Sequence, residues 1–190
     1  MQTVPGEAFL QRAADVGIGF DSRYPDSGSL SILPPCDHAR FWVLPTDLAT
    51  LPHFITSLLH GLDEWSSGCL WPRCGIWRAD NDDERDALLP SLGIPDNLAG
   101  AVRFANDEED AVITILNAFL AFGWCGTDDL YFIPDHGRQL MHTDHHDVIH
   151  VECASEERVM KLVARMTEAG YKLPTELPDA TFRRPAWMPS

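Results

Sequence analysis

Residues able to bind a metal ion or to transfer a proton are concentrated in one stretch of the chain, residues 135–153. Five of the eight histidines lie there, at positions 136, 142, 145, 146 and 150. Asp144, Asp147, Glu152 and Cys153 are interleaved among them. Imidazole and carboxylate groups are common zinc ligands and common general acids and bases. Any metal or acid–base chemistry is therefore predicted to take place in this stretch.

The end of the stretch, residues 147–153 with the sequence DVIHVEC, alternates like a β-strand. Alternate residues of a strand share a face, so His150 and Glu152 lie about 7 Å apart, on the face away from the apolar residues. His142 or His146, in the preceding turn, could complete a three-ligand set with an open position, as in catalytic zinc sites. The predicted ligands are His142, His146, His150 and Glu152, and the predicted ion is zinc or another divalent transition metal.

Two other interpretations of the cluster need no metal. His150 could act as a general base oriented by Glu152 or Asp147. The stretch 136–152 could also be a polar double turn at the end of a hairpin, where aspartate is common. Histidines packed among Asp144, Asp147 and Glu152 are expected to have raised pKa values, because nearby negative charge favours the imidazolium form.

Short catalytic motifs of fixed spacing are absent from the chain. It contains no HExxH, GxSxG, P-loop or GxGxxG pattern. We therefore expect a non-enzymatic protein without a cofactor, and a metal-binding protein or metal-dependent hydrolase acting through residues 136–152 as the alternative.

The charge of the chain indicates which partners it could bind. It has 29 acidic and 14 basic residues and a formal net charge of −15. Such a surface repels phosphate backbones, which excludes nucleic acid as the expected partner, and it suits a basic protein. In general character the chain resembles bacterial immunity and inhibitor proteins, and this resemblance implies a protein-binding module that masks a basic site. The predicted contact residues form an acidic run: Asp80, Asp82, Asp83, Glu84 and Asp86.

Targeting features and cysteines indicate the compartment. The first residues lack the basic start and apolar run of a signal peptide. No apolar run reaches the length of about 18 residues that a membrane span needs. The five cysteines are an odd number at irregular spacing, which is typical of reduced thiols. We predict a cytoplasmic protein with no membrane contact.

Apolar periodicity and turn residues predict an α+β fold. The predicted strands are residues 39–45, 101–106, 129–134, 139–143 and 147–153, the predicted helices end at Gly61, Gly123 and Gly170, and residues 21–29 are predicted to be a loop. We expect one domain over 1–190, with an antiparallel or mixed sheet and helices packed on one face. The order of elements in 101–170 resembles a ferredoxin-like split βαβ arrangement. Residues 1–94 and 101–171 are candidate related halves, and the proline-rich tail 172–190 is expected to pack on the body.

Overall fold

The computed structural model describes residues 1–24, 26–35, 38–62, 65–73, 75, 77, 83–95, 98–122, 129–144 and 147–175. Within these ranges the chain forms nine β-strands and five α-helices. The strands are β1 (Gln2–Pro5), β2 (Ile18–Phe20), β3 (Leu30–Ile32), β4 (Ala39–Val43), β5 (Ser67–Pro72), β6 (Gly100–Ala105), β7 (Leu130–Pro134), β8 (Gln139–Asp144) and β9 (Val148–Cys153). The helices are α1 (Gly6–Asp15), α2 (Leu51–Gly61), α3 (Asp83–Ser91), α4 (Glu109–Phe122) and α5 (Glu156–Glu168).

Seven of the strands form one sheet in the order β1-β6-β5-β7-β8-β9-β4, and β2 and β3 form a separate two-stranded sheet. All neighbours in the large sheet run antiparallel, which confirms the α+β prediction. Strands from 1–94 and from 101–171 are interleaved in it, with β5 inserted between β6 and β7 and β4 paired with β9. Strand β5 lies between β6 and β7, which α4 connects. The ferredoxin-like arrangement and the relation between the two halves stay predictions.

Helices α2, α4 and α5 cover one face of the sheet and enclose the main core. The apolar residues of α2 recur at intervals of three and four, so they form one stripe along the helix. All of them are buried: Leu51, Phe54, Ile55, Leu58 and Leu59. Each such side chain contributes about 1.5–3 kcal/mol when it is fully buried. Gly61 allows α5 to approach the end of α2, because a Cβ atom there would collide with Leu162.

The opposite face of the sheet is also apolar and carries a second core. Helix α1 packs here, and its Phe9 stacks on Trp71 with ring centroids 4.4 Å apart and 11° between the planes. The β2–β3 sheet covers the neighbouring part of this face. The prediction that helices pack on one face only is therefore wrong for α1. The reason is that β5 and β7 are apolar at consecutive positions, so both of their faces need cover.

The tail is described only as far as residue 175. The Tyr171 hydroxyl lies 2.8 Å from Nδ1 of His53 on α2. Tyr171 and Leu173 are partly buried against the main core. The rest of the predicted tail, 176–190, lies outside the described residues. None of the helices in the described ranges is long and apolar enough to cross a membrane.

Candidate metal centre

A row of ring side chains crosses the second face of the sheet on five neighbouring strands. Trp71 on β5 pairs with Tyr131 on β7, Tyr131 with His142 on β8, His142 with His150 on β9, and His150 with Phe41 on β4. Centroid distances are 5.0 Å from Tyr131 to His142, 4.6 Å from His142 to His150 and 6.2 Å from His150 to Phe41. We call this row the ring ladder. It forms because directly opposite residues of antiparallel strands have Cβ atoms about 4.5–5.5 Å apart.

Asp144 completes a set of metal-ligating groups with the two histidines of the ladder. It lies two residues beyond His142 on β8, and therefore on the same face of the sheet. Its Oδ2 atom is 3.5 Å from Nε2 of His150. One donor atom from each of His142, Asp144 and His150 lies within 4.8 Å of the other two. We call these three residues the His/Asp triad.

The spacing of the triad is close to that of a metal coordination shell. In a tetrahedral zinc site the ligand atoms lie about 2.1 Å from the ion, which places them about 3.4 Å from one another. The 3.5 Å between Asp144 and His150 is too long for a strong hydrogen bond but matches this value. The donor atom of His142 lies within 4.8 Å of the donor atoms of Asp144 and His150, and it would have to come closer to them to complete such a shell.

His142 is partly exposed, as are the other two members of the triad, but one of its ring nitrogens is enclosed. Its Nδ1 atom is buried and has no hydrogen-bond partner in the described part of the chain. Burial lowers the pKa of His142 to about 3, His150 adds to the lowering and Asp144 opposes it. The prediction of raised histidine pKa values is therefore wrong for His142, because desolvation outweighs the attraction of the carboxylate. A neutral imidazole is the form that binds metals.

The side chains of the other two members of the triad are also partly exposed. The side chains of His150 and Asp144 are 28% and 20% exposed. An ion bound here would be reached from solvent past these two side chains. Three protein ligands at a partly exposed position would leave room for a water molecule or another ligand on the ion.

The structure brings together two of the four predicted ligands, His142 and His150. Glu152 has a different role, because its Oε2 accepts hydrogen bonds from Oγ of Ser31 at 2.8 Å and from the N–H of Ile32 at 3.0 Å. These bonds attach strand β3 to the sheet. The prediction for His146 lies outside the described residues.

Asp144 is the site residue that the sequence prediction did not name as a ligand. The predicted strand ended at Thr143, which placed Asp144 in a turn. In the structure β8 extends to Asp144. The signal was present in the HTD sequence, since residues two apart on a strand share a face.

An ion pair borders the triad at the ends of β5 and β7. Nη1 of Arg73 donates to Oδ2 of Asp129 at 2.8 Å. The Asp129 side chain is 2% exposed and that of Arg73 is 25% exposed. A buried carboxylate of this kind is stable only when a charged partner neutralises it.

The predicted partner-binding residues, or their side chains, lie outside the part of the chain that the structure describes. Asp80 and Asp82 lie outside the described residues. Asp83, Glu84 and Asp86 belong to α3, but the positions of their side chains are not among those described. Their role in partner binding stays a prediction.

Comparison of the chain with protein-family models, with curated proteins and with solved structures finds no match in any of the three. What the chain does is therefore inferred from its own residues.

Proposed function

We propose that the chain binds a divalent transition metal ion through His142, Asp144 and His150, with zinc as the first candidate. The observation that carries the proposal is the approach of three donor atoms to within 4.8 Å of one another on one face of the sheet. Two imidazoles and one carboxylate suit zinc and other first-row divalent ions. The neutral state of His142 adds support, because no proton has to leave this ring before an ion binds.

A bound ion would supply Lewis-acid chemistry and a water molecule of lowered pKa. Two carboxylates on this face of the sheet, within the described residues, are already engaged. Glu152 accepts hydrogen bonds from strand β3, and Asp129 is paired with Arg73. We therefore propose metal binding alone. The predicted catalytic role of His150 with Glu152 is not part of the proposal.

The proposal is tested with protein that carries no histidine tag. Elemental analysis is expected to show about one equivalent of a transition metal, and zinc titrated into chelator-treated protein should bind with the same stoichiometry. His150→Ala should lower zinc affinity by at least tenfold. His53→Ala is the matched control, because His53 lies on α2 against Tyr171, behind the other face of the sheet. Sub-stoichiometric metal together with no zinc-induced rise in melting temperature would refute the proposal.

The acidic protein-binding role stays a prediction that rests on the net charge of −15. Its test is capture of a basic protein at low salt, with release as the salt concentration rises. This role does not exclude a metal, so the two hypotheses are tested separately.

A further inference from the structure

The Arg73 guanidinium lies on the same face and at the same end of the sheet as the His/Asp triad. The N–H of Arg73 donates to the carbonyl of Asp129 at 2.8 Å, which continues the pairing of β5 with β7 beyond the strand ends. Residues two apart on a strand share a face. Arg73, two residues after Trp71, and Asp129, two residues before Tyr131, therefore lie one row beyond the ring ladder, as Asp144 does on β8. The ion pair and Asp144 occupy the row next to the ring ladder.

The guanidinium of Arg73 is fixed in position. Its Nη1 donates to Asp129 at 2.8 Å and its Nε donates to the carbonyl of Ser27 at 2.8 Å. Among the described contacts, these two hydrogen bonds use two of the five N–H donors of the side chain. A guanidinium held in this way presents its remaining donors as a preorganised fork, the geometry that binds carboxylates and phosphates in bidentate fashion.

The local charge would favour an anion once a metal is bound. The carboxylate of Asp144 cancels one of the two charges of a divalent ion, and Asp129 cancels the charge of Arg73. With neutral histidines, the ion, Asp144, Arg73 and Asp129 together carry one positive charge, and the carboxylate of Glu152, two residues from His150, is held by Ser31 and Ile32. A neutral ligand such as water could coordinate the ion, whereas an anion would gain in addition from the charge of the ion and from the guanidinium.

From these observations we infer that the metal-loaded triad binds a small oxyanion, a carboxylate or phosphate group, between the ion and the Arg73 guanidinium. This inference rests on the proposed metal site and gives it a ligand class. The oxyanion would occupy the coordination position that the three protein ligands leave open, and Arg73 would act as a binding residue for it.

The test uses the cobalt-loaded full-length chain, because the visible spectrum of Co²⁺ changes when a ligand enters its coordination shell. Inorganic phosphate and acetate are titrated separately, and chloride at equal ionic strength is the control. A saturable spectral change with phosphate or with acetate is expected, and the comparison identifies which oxyanion is preferred. Chloride should produce no saturable change.

Arg73→Gln should weaken binding of the preferred oxyanion by about ten- to a hundredfold, the loss expected for charge-assisted hydrogen bonds. Affinity for Co²⁺ itself should stay within about twofold, since Arg73 is not a ligand. If Arg73→Gln fails to fold because Asp129 is left buried and unpaired, the double variant Arg73→Gln/Asp129→Asn removes both charges and keeps the test valid. Arg40→Gln is the matched control, because Arg40 pairs with Glu156 away from the triad.

Each outcome of this experiment decides between the two proposals. Cobalt binding with no response to either oxyanion overturns the oxyanion inference and leaves the metal site intact. Equal oxyanion affinity in the wild type and in the folded Arg73 variants removes Arg73 from the site and also overturns the inference. Absence of cobalt binding in the wild type overturns both.

Discussion

His142 and His150 are cross-strand partners on β8 and β9, and their imidazole rings stack with centroids 4.6 Å apart and 5° between the planes. The hairpin turn between the strands brings these two rings together, and the alternation of β8 adds Asp144 on the same face. The donor set is thus built into the β8–β9 hairpin on the second face of the sheet.

Replacing Asp144 with asparagine is expected to weaken zinc binding by at least tenfold, because the amide carries no negative charge for the ion. Asp147→Asn is the matched control. Asp147 has φ of 63° in the turn between β8 and β9, and asparagine tolerates such a φ value as aspartate does. Zinc titration of the chelator-treated proteins measures both affinities. Equal weakening in the two variants would indicate a general charge effect and would argue against the triad.

Zinc is expected to raise the melting temperature of the metal-free chain. At a free zinc concentration of about 100 times Kd the stabilisation is about 2.7 kcal/mol, which for a chain of this size corresponds to a rise of roughly 5–10 °C. His142→Ala should abolish the rise. His60→Ala should retain it, because His60 contacts Glu109 on the face of the sheet that α2, α4 and α5 cover. Thermal unfolding with zinc and with chelator measures the difference. A zinc-induced rise that survives in His142→Ala would place the ion elsewhere.

Acidification is expected to destabilise the metal-free chain through His142. Its pKa is about 3 in the folded chain, below the reference value of about 6.5 that applies when the chain is unfolded. Between these values the unfolded chain binds a proton that the folded chain does not, so the free energy of unfolding falls as the pH falls. The loss approaches about 1.4 kcal/mol per pH unit below pH 6.5. From pH 7.5 to 5.5 we therefore expect a loss of about 1.4 kcal/mol from this residue.

The pH dependence is measured by urea unfolding in the presence of chelator, so that release of metal does not contribute. His142→Gln should show a smaller loss of stability on acidification than the wild type, since the amide does not titrate. His38→Gln is a control on the surface, where His38 contacts Glu156. A free energy of unfolding that increases on acidification in the wild type, but not in His142→Gln, would contradict the lowered pKa of His142.

Glu152→Gln is expected to lower the free energy of unfolding by about 1–2 kcal/mol, because the hydrogen bonds to Ser31 and Ile32 lose their charged acceptor. It should leave zinc affinity unchanged within about twofold, since Glu152 is outside the triad. Glu156→Gln is the comparison, with a side chain that is 50% exposed and a correspondingly small effect on stability. If Glu152→Gln weakened zinc binding as strongly as His150→Ala, Glu152 would have to be counted as a ligand.

Gly68→Ala is expected to destabilise the sheet between β5 and β7. A Cβ atom at Gly68 would lie 2.8 Å from Cα of Pro134, and it would also collide with the carbonyl of Ile133. Backbone atoms cannot move aside without separating the strands, so we expect a loss of about 3 kcal/mol or more. Gly6→Ala in α1 is the control, because its Cβ would make only an ordinary contact with Trp71, at 3.4 Å. Denaturant unfolding of both variants checks the difference.

Elements with strong apolar periodicity were predictable from the sequence. Strands β4, β6, β7, β8 and β9 and helices α2, α4 and α5 lie where the pattern placed them, to within a few residues. The short strands β1, β2 and β3 were not predicted. Three or four residues are too few to show a period, and β1 becomes a strand only by pairing with β6, about 100 residues away in the chain.

For the candidate site, the sequence by itself determined which strand face carries His150 and Glu152, since alternation is a property of any extended chain. It could not decide which carboxylate accompanies the histidines. This depends on tertiary packing, because β3 lies against the sheet and its Ser31 and Ile32 donate hydrogen bonds to Glu152. The register of β8 with β9 then leaves Asp144 beside the two rings. Such contacts depend on chain segments about 120 residues apart, and no local pattern encodes them.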